Sequence, residues 1–243
     1  AYRDFARQLG LDGFTSIPIS AVHGDNVVAP CGNTSWYRGP MLMEYLETVA
    51  IDDDLPSRAF RMPVQWVNRP NPDFRGFAGT IVSGTVKAGD RIVVQPSGRE
   101  ARGGRIVTAD GDLAEAVANQ SVTLTLHEEI DISRGDVIST AADPVASADQ
   151  FEASLVWMDS APMLRGRSYV MKIGSKTANA TIAPLKYRIN VHTLEHVAAG
   201  KLELNEIGVC DLELDRPIAY APYTDNRDLG GFILIDRMTN NTV

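Results

Sequence analysis

Gly79-Thr80-Ile81-Val82-Ser83-Gly84-Thr85-Val86-Lys87-Ala88-Gly89-Asp90 decides how the rest of this 243-residue chain is read. Apolar side chains recur through Ile81 and Val86, then Ile92 and Val94, with polar residues between them. Alternation at a period of two marks a half-buried strand. Glycines stand at 79, 84 and 89. A glycine inside a strand pattern, as at Gly84, predicts a bulge or a tight bend. Lys87-Ala88-Gly89-Asp90 is a turn, with Gly89 free to take a positive φ. The stretch therefore predicts strand, bend, short strand, turn and strand, a piece of a small, tightly curved barrel.

The totals limit what that barrel can belong to. The length allows one large domain or two small ones. A content of 44% hydrophobic and 22% charged residues is ordinary for a globular chain. The formal net charge of −8 argues against a broad nucleic-acid surface, which needs a basic face. It leaves room for one local basic patch. Two cysteines, Cys31 and Cys210, make no disulfide scaffold, and a reducing cytoplasm is the expected setting. Neither has a histidine near it in sequence to activate a thiol. No apolar run reaches the roughly 18 residues of a membrane span. The opening Ala1-Tyr2-Arg3-Asp4 is not a signal peptide and lacks an initiator Met. It starts inside a helical pattern, so a fragment of a longer protein is expected.

Taken in order, residues 1–52 predict the tail of an α/β layer. Tyr2, Phe5, Ala6 and Leu9 share a helical face ending near Gly10. Residues 14–19 read as a strand despite Pro18, then Ser20 to Val27 as a loop. Gly39-Pro40 opens a second helix, with Pro at its first position. The acidic Asp52-Asp53-Asp54-Leu55-Pro56-Ser57 is a linker. Residues 53–144 then predict one barrel, with strands at 60–67, 77–82, 91–94, 104–108, 121–126 and 136–139. Ala141-Ala142-Asp143-Pro144 is a second boundary. Residues 145–243 predict another barrel, with strands at 151–158, 168–173, 178–185, 187–193, 206–214 and 231–237.

Short chemical motifs are present, and each has a plainer reading. Ser20-Ala21 after a strand could offer backbone N–H groups to a guanine carbonyl, although an ordinary turn has the same spacing. Asp73-Phe74-Arg75-Gly76 and Asp228-Leu229-Gly230-Gly231 fit the D-x-x-G pattern of phosphate-sensing loops, but as turns. Gly174-Ser175-Lys176-Thr177 lacks the adjacent Gly-Lys of a phosphate loop. No N-K-x-D element occurs, so the chain alone is expected neither to bind nor to hydrolyse a nucleoside triphosphate. His192-Thr193-Leu194-Glu195-His196 matches H-x-x-E-H, whose zinc chemistry needs both imidazoles on one helical face; a barrel loop is the alternative. Arg134-Gly135-Asp136 reads as a turn into a strand. No metal site or catalytic residue is assigned.

Longer stretches carry a resemblance. The stretch 79–90, paired with Ser133-Arg134-Gly135-Asp136-Val137-Ile138, resembles the second-domain barrel of translation-factor-like GTPases. Ser20 to Val27, Gln65-Trp66-Val67-Asn68-Arg69-Pro70 and Arg75 to Gly79 are similar to the large GTPase subunit of bacterial ATP sulfurylase. So are Leu194-Glu195-His196 with Leu204-Asn205-Glu206-Ile207-Gly208, and Gly230 to Arg237. The resemblance runs along essentially the whole chain. It implies a mainly β chain, two consecutive small β-barrels of translation-factor type preceded by the α/β tail of a GTPase domain. It implies Ser20, Ala21 and Val22 as a guanine-side loop. GTP and Mg would serve the parent protein, with neither bound to this piece. The implied partners are the small ATP sulfurylase subunit, the GTPase domain these residues lack and, in some members, a fused adenylylsulfate kinase domain. Membrane and nucleic acid are not among them. The implied activity is GTP hydrolysis driving adenylylsulfate formation from ATP and sulfate. A translation-type GTPase whose barrels touch RNA, a protein-interaction module and a zinc hydrolase are the alternatives.

Overall fold

Two hydrophobic strand series, each closed by turns, produce two sheets in sequence order. The computed structural model describes residues 2–11, 13–49 and 54–243. The chain divides into two units, Ala1–Asp53 and Asp54–Val243. Among the described residues, no helix is long and apolar enough to cross a membrane.

The first unit carries helices α1 (Tyr2–Gln8) and α2 (Leu42–Thr48). The strand expected at 14–19 does not form; the segment has no regular structure. A strand exists only through ladder partners, and Pro18 has no N–H to offer one. The second helix begins at Leu42, after Pro40 rather than on it. Its first two N–H groups are committed to the preceding loop, Leu42 N–H donating to Asn26 O and Met43 N–H to Val27 O, both at 3.0 Å. The acidic residues Asp52 and Asp53 of the expected linker lie outside the described residues. Its remainder holds a 3-10 turn at Leu55–Ser57.

The second unit opens with β1 (Arg61–Pro63), β2 (Trp66–Asn68), β3 (Gly76–Thr80), β4 (Thr85–Lys87) and β5 (Arg91–Gln95). It continues with β6 (Arg99–Thr108), β7 (Gly111–Leu113), β8 (Glu115–Val117), β9 (Ser121–Leu126) and β10 (Val137–Thr140). These build a sheet ordered β1-β10-β5-β6-β9-β3-β2, with β7 on β6 and a separate β4-β8 pair. Met62, Val64, Phe77, Ile81, Ile92, Ile106, Leu124 and Ile138 fill its interior, each 2% exposed or less. Burying one such side chain contributes about 1.5–3 kcal/mol.

The expected strand at 60–67 is two strands. At Val64 the chain leaves β10 for β3: Val64 N–H donates to Asp136 O and Gln65 N–H to Ala78 O, both at 2.8 Å. That corner bends the sheet on itself. Strand β6 starts at Arg99, five residues before the apolar run that marked it. Its first half pairs with β5 and its second with β9, so polar Arg99, Glu100 and Arg102 are held by register, and of these four residues only Ala101 is buried.

A second sheet follows: β11 (Ala146–Val156), β12 (Ser168–Ile173), β13 (Lys176–Ile189), β14 (His196–Val197), β15 (Ile207–Tyr220) and β16 (Phe232–Ile235), with a short helix α3 (Arg227–Gly230) before β16. Its order is β11-β15-β13-β12-β16, with β14 on β13. Leu155, Trp157, Tyr169, Met171, Ile182 and Leu212 form its core. Trp157 and Tyr169 meet edge-to-face at 5.7 Å, and the indole N–H donates to Ala161 O at 2.7 Å. The two strands expected at 178–185 and 187–193 are one strand with register shifts at 182/185 and 185/187. Pro184 lies in the first shift, where its missing N–H breaks no ladder bond. Strand β15 runs on past Leu214 to Tyr220, and the pairing slips where Asp215-Arg216-Pro217 bulges out.

Asp215 closes that bulge. Arg216, then Asn179, hold its carboxyl down at about 2, against an ordinary 3.8. A depressed folded-state pKa gives stability that is complete above about pH 4 and lost as the pH falls toward 2. Asp215→Asn is expected to flatten the acid limb of the stability curve in that window, read by urea unfolding at stepped pH.

The two barrels meet through side chains. Val137, Val145, Ala219 and Leu229 form a small buried cluster of their own, with Val82 and Ala221 against it. Strand β10 is therefore covered on both faces, and Val137, Ile138 and Ser139 are all buried. Beside the cluster, Lys176 Nζ lies 2.8 Å from Asp136 Oδ1. Asp136 Oδ2 also accepts the Ser133 N–H at 2.8 Å. Gly135 has φ +88, and a Cβ there would come within 2.7 Å of Lys176 Cα. The Arg134-Gly135-Asp136 turn is thus a joint between the barrels.

Candidate functional site

The loop after the irregular segment 13–19 is a tight, doubly closed turn. Ser20 N–H donates to Asp25 O at 3.3 Å and Gly24 N–H donates back to Ser20 O at 2.8 Å. Ser20 Oγ accepts the His23 N–H at 3.3 Å. The turn is pinned from behind by Asn26, which is 2% exposed with φ +54. Asparagine tolerates that left-handed backbone. Its Nδ2 donates to Pro18 O at 2.8 Å and to Thr34 Oγ1 at 2.6 Å. Asn33 Nδ2 reaches Asp25 Oδ2 at 3.1 Å.

Ser20, Ala21 and Val22 therefore sit at the start and crest of one ordered turn. Ala21 is exposed, and Val22 is 88% exposed. Among the described residues, no acceptor of this chain meets the N–H of Ala21 or Val22. A fixed turn with unpaired N–H groups on exposed residues can donate to a planar carbonyl acceptor at little ordering cost. Asn26 is the member that sequence reasoning missed. The signal was available: an Asp-Asn pair directly after Gly24 is a favoured place for a left-handed residue.

The remaining motifs resolve as structure. Asp73 to Gly76 is the turn entering β3. Asp228 to Gly230 lies in α3, where Leu229 is buried and Asn226 Oδ1 accepts its N–H at 3.1 Å. Gly174-Ser175-Lys176-Thr177 is the β12–β13 hairpin, and Lys176 is spent on Asp136. His192 stands in a loop closed by Asn190, whose Oδ1 accepts the His192 N–H at 3.0 Å. His196 is in β14 and stacks on Tyr187 at 3.8 Å. The helix that H-x-x-E-H chemistry requires is not there. Among the described residues, no group of three or more His, Cys, Asp or Glu is placed to hold a metal ion.

The cysteines differ in reactivity. Cys210 is fully buried in the second barrel, and burial pushes its thiol up to about 11. At pH 8 that leaves about one molecule in a thousand as thiolate. Cys31 is half-buried, with Sγ 3.2 Å from Thr34 Oγ1. A disulfide-exchange dye at pH 8 is expected to titrate Cys31 alone in the native protein and both thiols in denaturant.

Comparison with known proteins shows what this chain is similar to. Residues 150–243 match the family model described as GTP-eEF1A C-terminal domain-like. The bifunctional enzyme NodQ of Rhizobium sp. (strain N33) is 49% identical over 243 residues, covering 100% of this chain and 38% of that protein. The bifunctional enzyme CysN/CysC of Xylella fastidiosa (strain Temecula1) is 48% identical over 242 residues, covering 100% of this chain and 39% of that protein. Sulfate adenylyltransferase subunit 1 of Aeromonas salmonicida (strain A449) is 45% identical over 242 residues, covering 100% of this chain and 51% of that protein. The chain thus spans about half, or less, of the relatives it matches. Among solved structures, sup35 complexed with GDP superposes with a TM-score of 0.72 at 22% identity, covering 100% of this chain and 64% of that one. That likeness shows the fold: a mainly β chain built as the matching part of that protein is.

Proposed function

Because the chain is homologous along its whole length to a segment of sulfate adenylyltransferase subunit 1 and of the bifunctional CysN/CysC and NodQ enzymes, we propose that it is part of a GTP-hydrolysing sulfate adenylyltransferase subunit. The full-length identity of 45–49% carries this reading. The whole protein couples GTP hydrolysis to adenylylsulfate and pyrophosphate formation from ATP and sulfate. It works with the small subunit that holds the adenylyl-transfer site, and in fused forms with an adenylylsulfate kinase domain.

Residues 1–52 belong to the end of its nucleotide domain, residues 53–144 and 145–243 to its two barrels. The Ser20–Asp25 turn fits the guanine end of GTP: the unpaired N–H groups at Ala21 and Val22 suit a carbonyl oxygen, which adenine lacks. Without a phosphate loop, these residues alone neither hold the triphosphate with Mg nor hydrolyse it. The barrels transmit the nucleotide state to the partner by an interface switch of the kind GTPases use.

The test uses the complete protein with its small subunit. Deleting the barrels is expected to abolish GTP-stimulated adenylylsulfate synthesis while GTP binding stays measurable; unchanged stimulation would sink the proposal. For the loop, Asn26→Ala in the complete protein removes two anchoring bonds. It is expected to weaken GTP binding about tenfold, the equivalent of about 1.4 kcal/mol. Equal GTP affinity in an equilibrium titration would remove the loop from the nucleotide site.

A further inference from the structure

Residues 31–43 grip the Ser20–Asp25 turn from outside it. A 3-10 turn at Gly32–Thr34 supplies two side-chain contacts. Asn33 Nδ2 donates to the Asp25 carboxylate, 3.1 Å from Oδ2 and 3.3 Å from Oδ1. Thr34 Oγ1 accepts from Asn26 Nδ2 at 2.6 Å. At the far end of the segment, the first N–H groups of α2 donate to Asn26 O and Val27 O. Between its ends the segment braces itself. Tyr37 N–H donates to Thr34 O at 2.8 Å, and the Tyr37 hydroxyl donates to Pro40 O at 3.0 Å. Residues 25–27 are thus held by a loop that is not part of the turn.

These holds are not equivalent. Asn26 is buried at φ +54, a left-handed backbone that its side-chain bonds keep in place. Its amide has two N–H donors, and both are used, on Pro18 O and Thr34 Oγ1. Thr34 accepts there, so its own proton can go to Cys31 Sγ, 3.2 Å away. Without the Thr34 hydroxyl, one Asn26 donor is stranded in the interior, which costs more than the bond itself contributes. Rotation of the amide relieves that cost and frees the backbone at Asn26 to leave its left-handed setting. Asp25, the preceding residue, closes the turn by accepting the Ser20 N–H at 3.3 Å. The placement of the Ala21 and Val22 N–H groups therefore depends on a hydroxyl in the next loop.

We propose that Thr34 is a positioning residue for base selectivity. Through Asn26 it fixes the Ala21 and Val22 N–H groups where the carbonyl of a 6-oxopurine accepts from them, and Asn33 is the second hold. This rests on the reading of the Ser20–Asp25 turn as the guanine end of a GTP site. The consequence is selective. Loosening the hold weakens the contact with the base carbonyl and leaves contacts with ribose and phosphates, made elsewhere in the whole protein, as they are. A site built to hydrogen-bond one group discriminates against an analogue that lacks it, and a loosened site discriminates less.

The experiment uses the complete protein and equilibrium titration with three nucleotides. They are GDP, inosine diphosphate, which keeps the 6-oxo group, and 2-aminopurine riboside diphosphate, which lacks it. Thr34→Val keeps the shape and drops the hydroxyl. It is expected to weaken GDP and inosine diphosphate about tenfold each, and the 2-aminopurine nucleotide by less than about twofold. Thr34→Ser restores the acceptor and is expected to restore all three affinities. Asn33→Ala, at an exposed position, is expected to give the same pattern at about threefold, and it decides the matter if Thr34→Val does not fold. Equal losses on all three nucleotides overturn the proposal, since they make the hold purely structural. No loss on any of them overturns it as well. A wild-type protein that binds the 2-aminopurine nucleotide as tightly as GDP overturns the guanine reading of the turn itself, and this proposal with it.

Discussion

Gly84→Ala is expected to cost the second unit about 4 kcal/mol, a large share of the about 5–15 kcal/mol that stabilises a typical domain. Two effects add at this position. Gly84 has φ +76, where an L side chain is strained by about 1–2 kcal/mol. A Cβ there would also lie 2.3 Å from Phe60 N and 2.5 Å from Ala59 C, both backbone atoms with no rotamer to escape into. The position is tied on both sides, Gly84 N–H to Leu55 O at 2.6 Å and Ala118 N–H to Gly84 O at 2.9 Å, so the bend cannot drift. Gly89→Ala is the control. It has φ +92 but nothing within 4 Å of a built Cβ, and should cost only about 1 kcal/mol. Urea unfolding followed by Trp fluorescence reads both. Equal losses would mean that backbone strain, not close approach, sets the bend.

The second large effect belongs to the joint between the barrels. Asp136→Ala strands Lys176 in a site where its side chain is 19% exposed, and it leaves the Ser133 N–H without its acceptor. Breaking a buried pair from one side costs about 3–5 kcal/mol, since the remaining charge stays desolvated. Asp136→Ala combined with Lys176→Met removes that stranded charge and is expected to recover more than half of the loss. The single variant should also split the unfolding of residues 54–243 into two transitions. A double-mutant cycle with Trp and backbone signals followed together checks both expectations. Additive single losses would show that the ion pair carries no coupling.

The barrels were legible because alternation survives wherever one strand face meets a core. Ile92, Val94 and Ile106 announce themselves in that way. Legibility fails where a partner, not a pattern, makes the strand. Residues 14–19 have strand composition but no neighbour, whereas Arg99 to Arg102, polar but for Ala101, have a complete ladder. The division of 60–67 into β1 and β2 rests on which distant strand each half pairs with, and nothing local encodes that choice. At the candidate loop the resemblance pointed to Ser20 to Val22, which lie in a turn of the ordinary kind as well. Its anchor, Asn26, joins Pro18 to Thr34 by side-chain bonds that spacing does not reveal. The Asp136–Lys176 pair spans 40 positions and hid inside one motif read as a turn and another set aside as no phosphate loop.

That joint also limits how these barrels can be recombined. Gly135 lies against the main chain at Lys176, so the fit depends on the absence of a side chain in one barrel and on a cation in the other. A chimera that takes the second barrel from this chain must bring the Ser133–Asp136 turn with it. Otherwise the graft places a Cβ against Lys176 Cα, or its ammonium against no carboxylate. Neither barrel is a portable cassette; the unit of exchange is the pair.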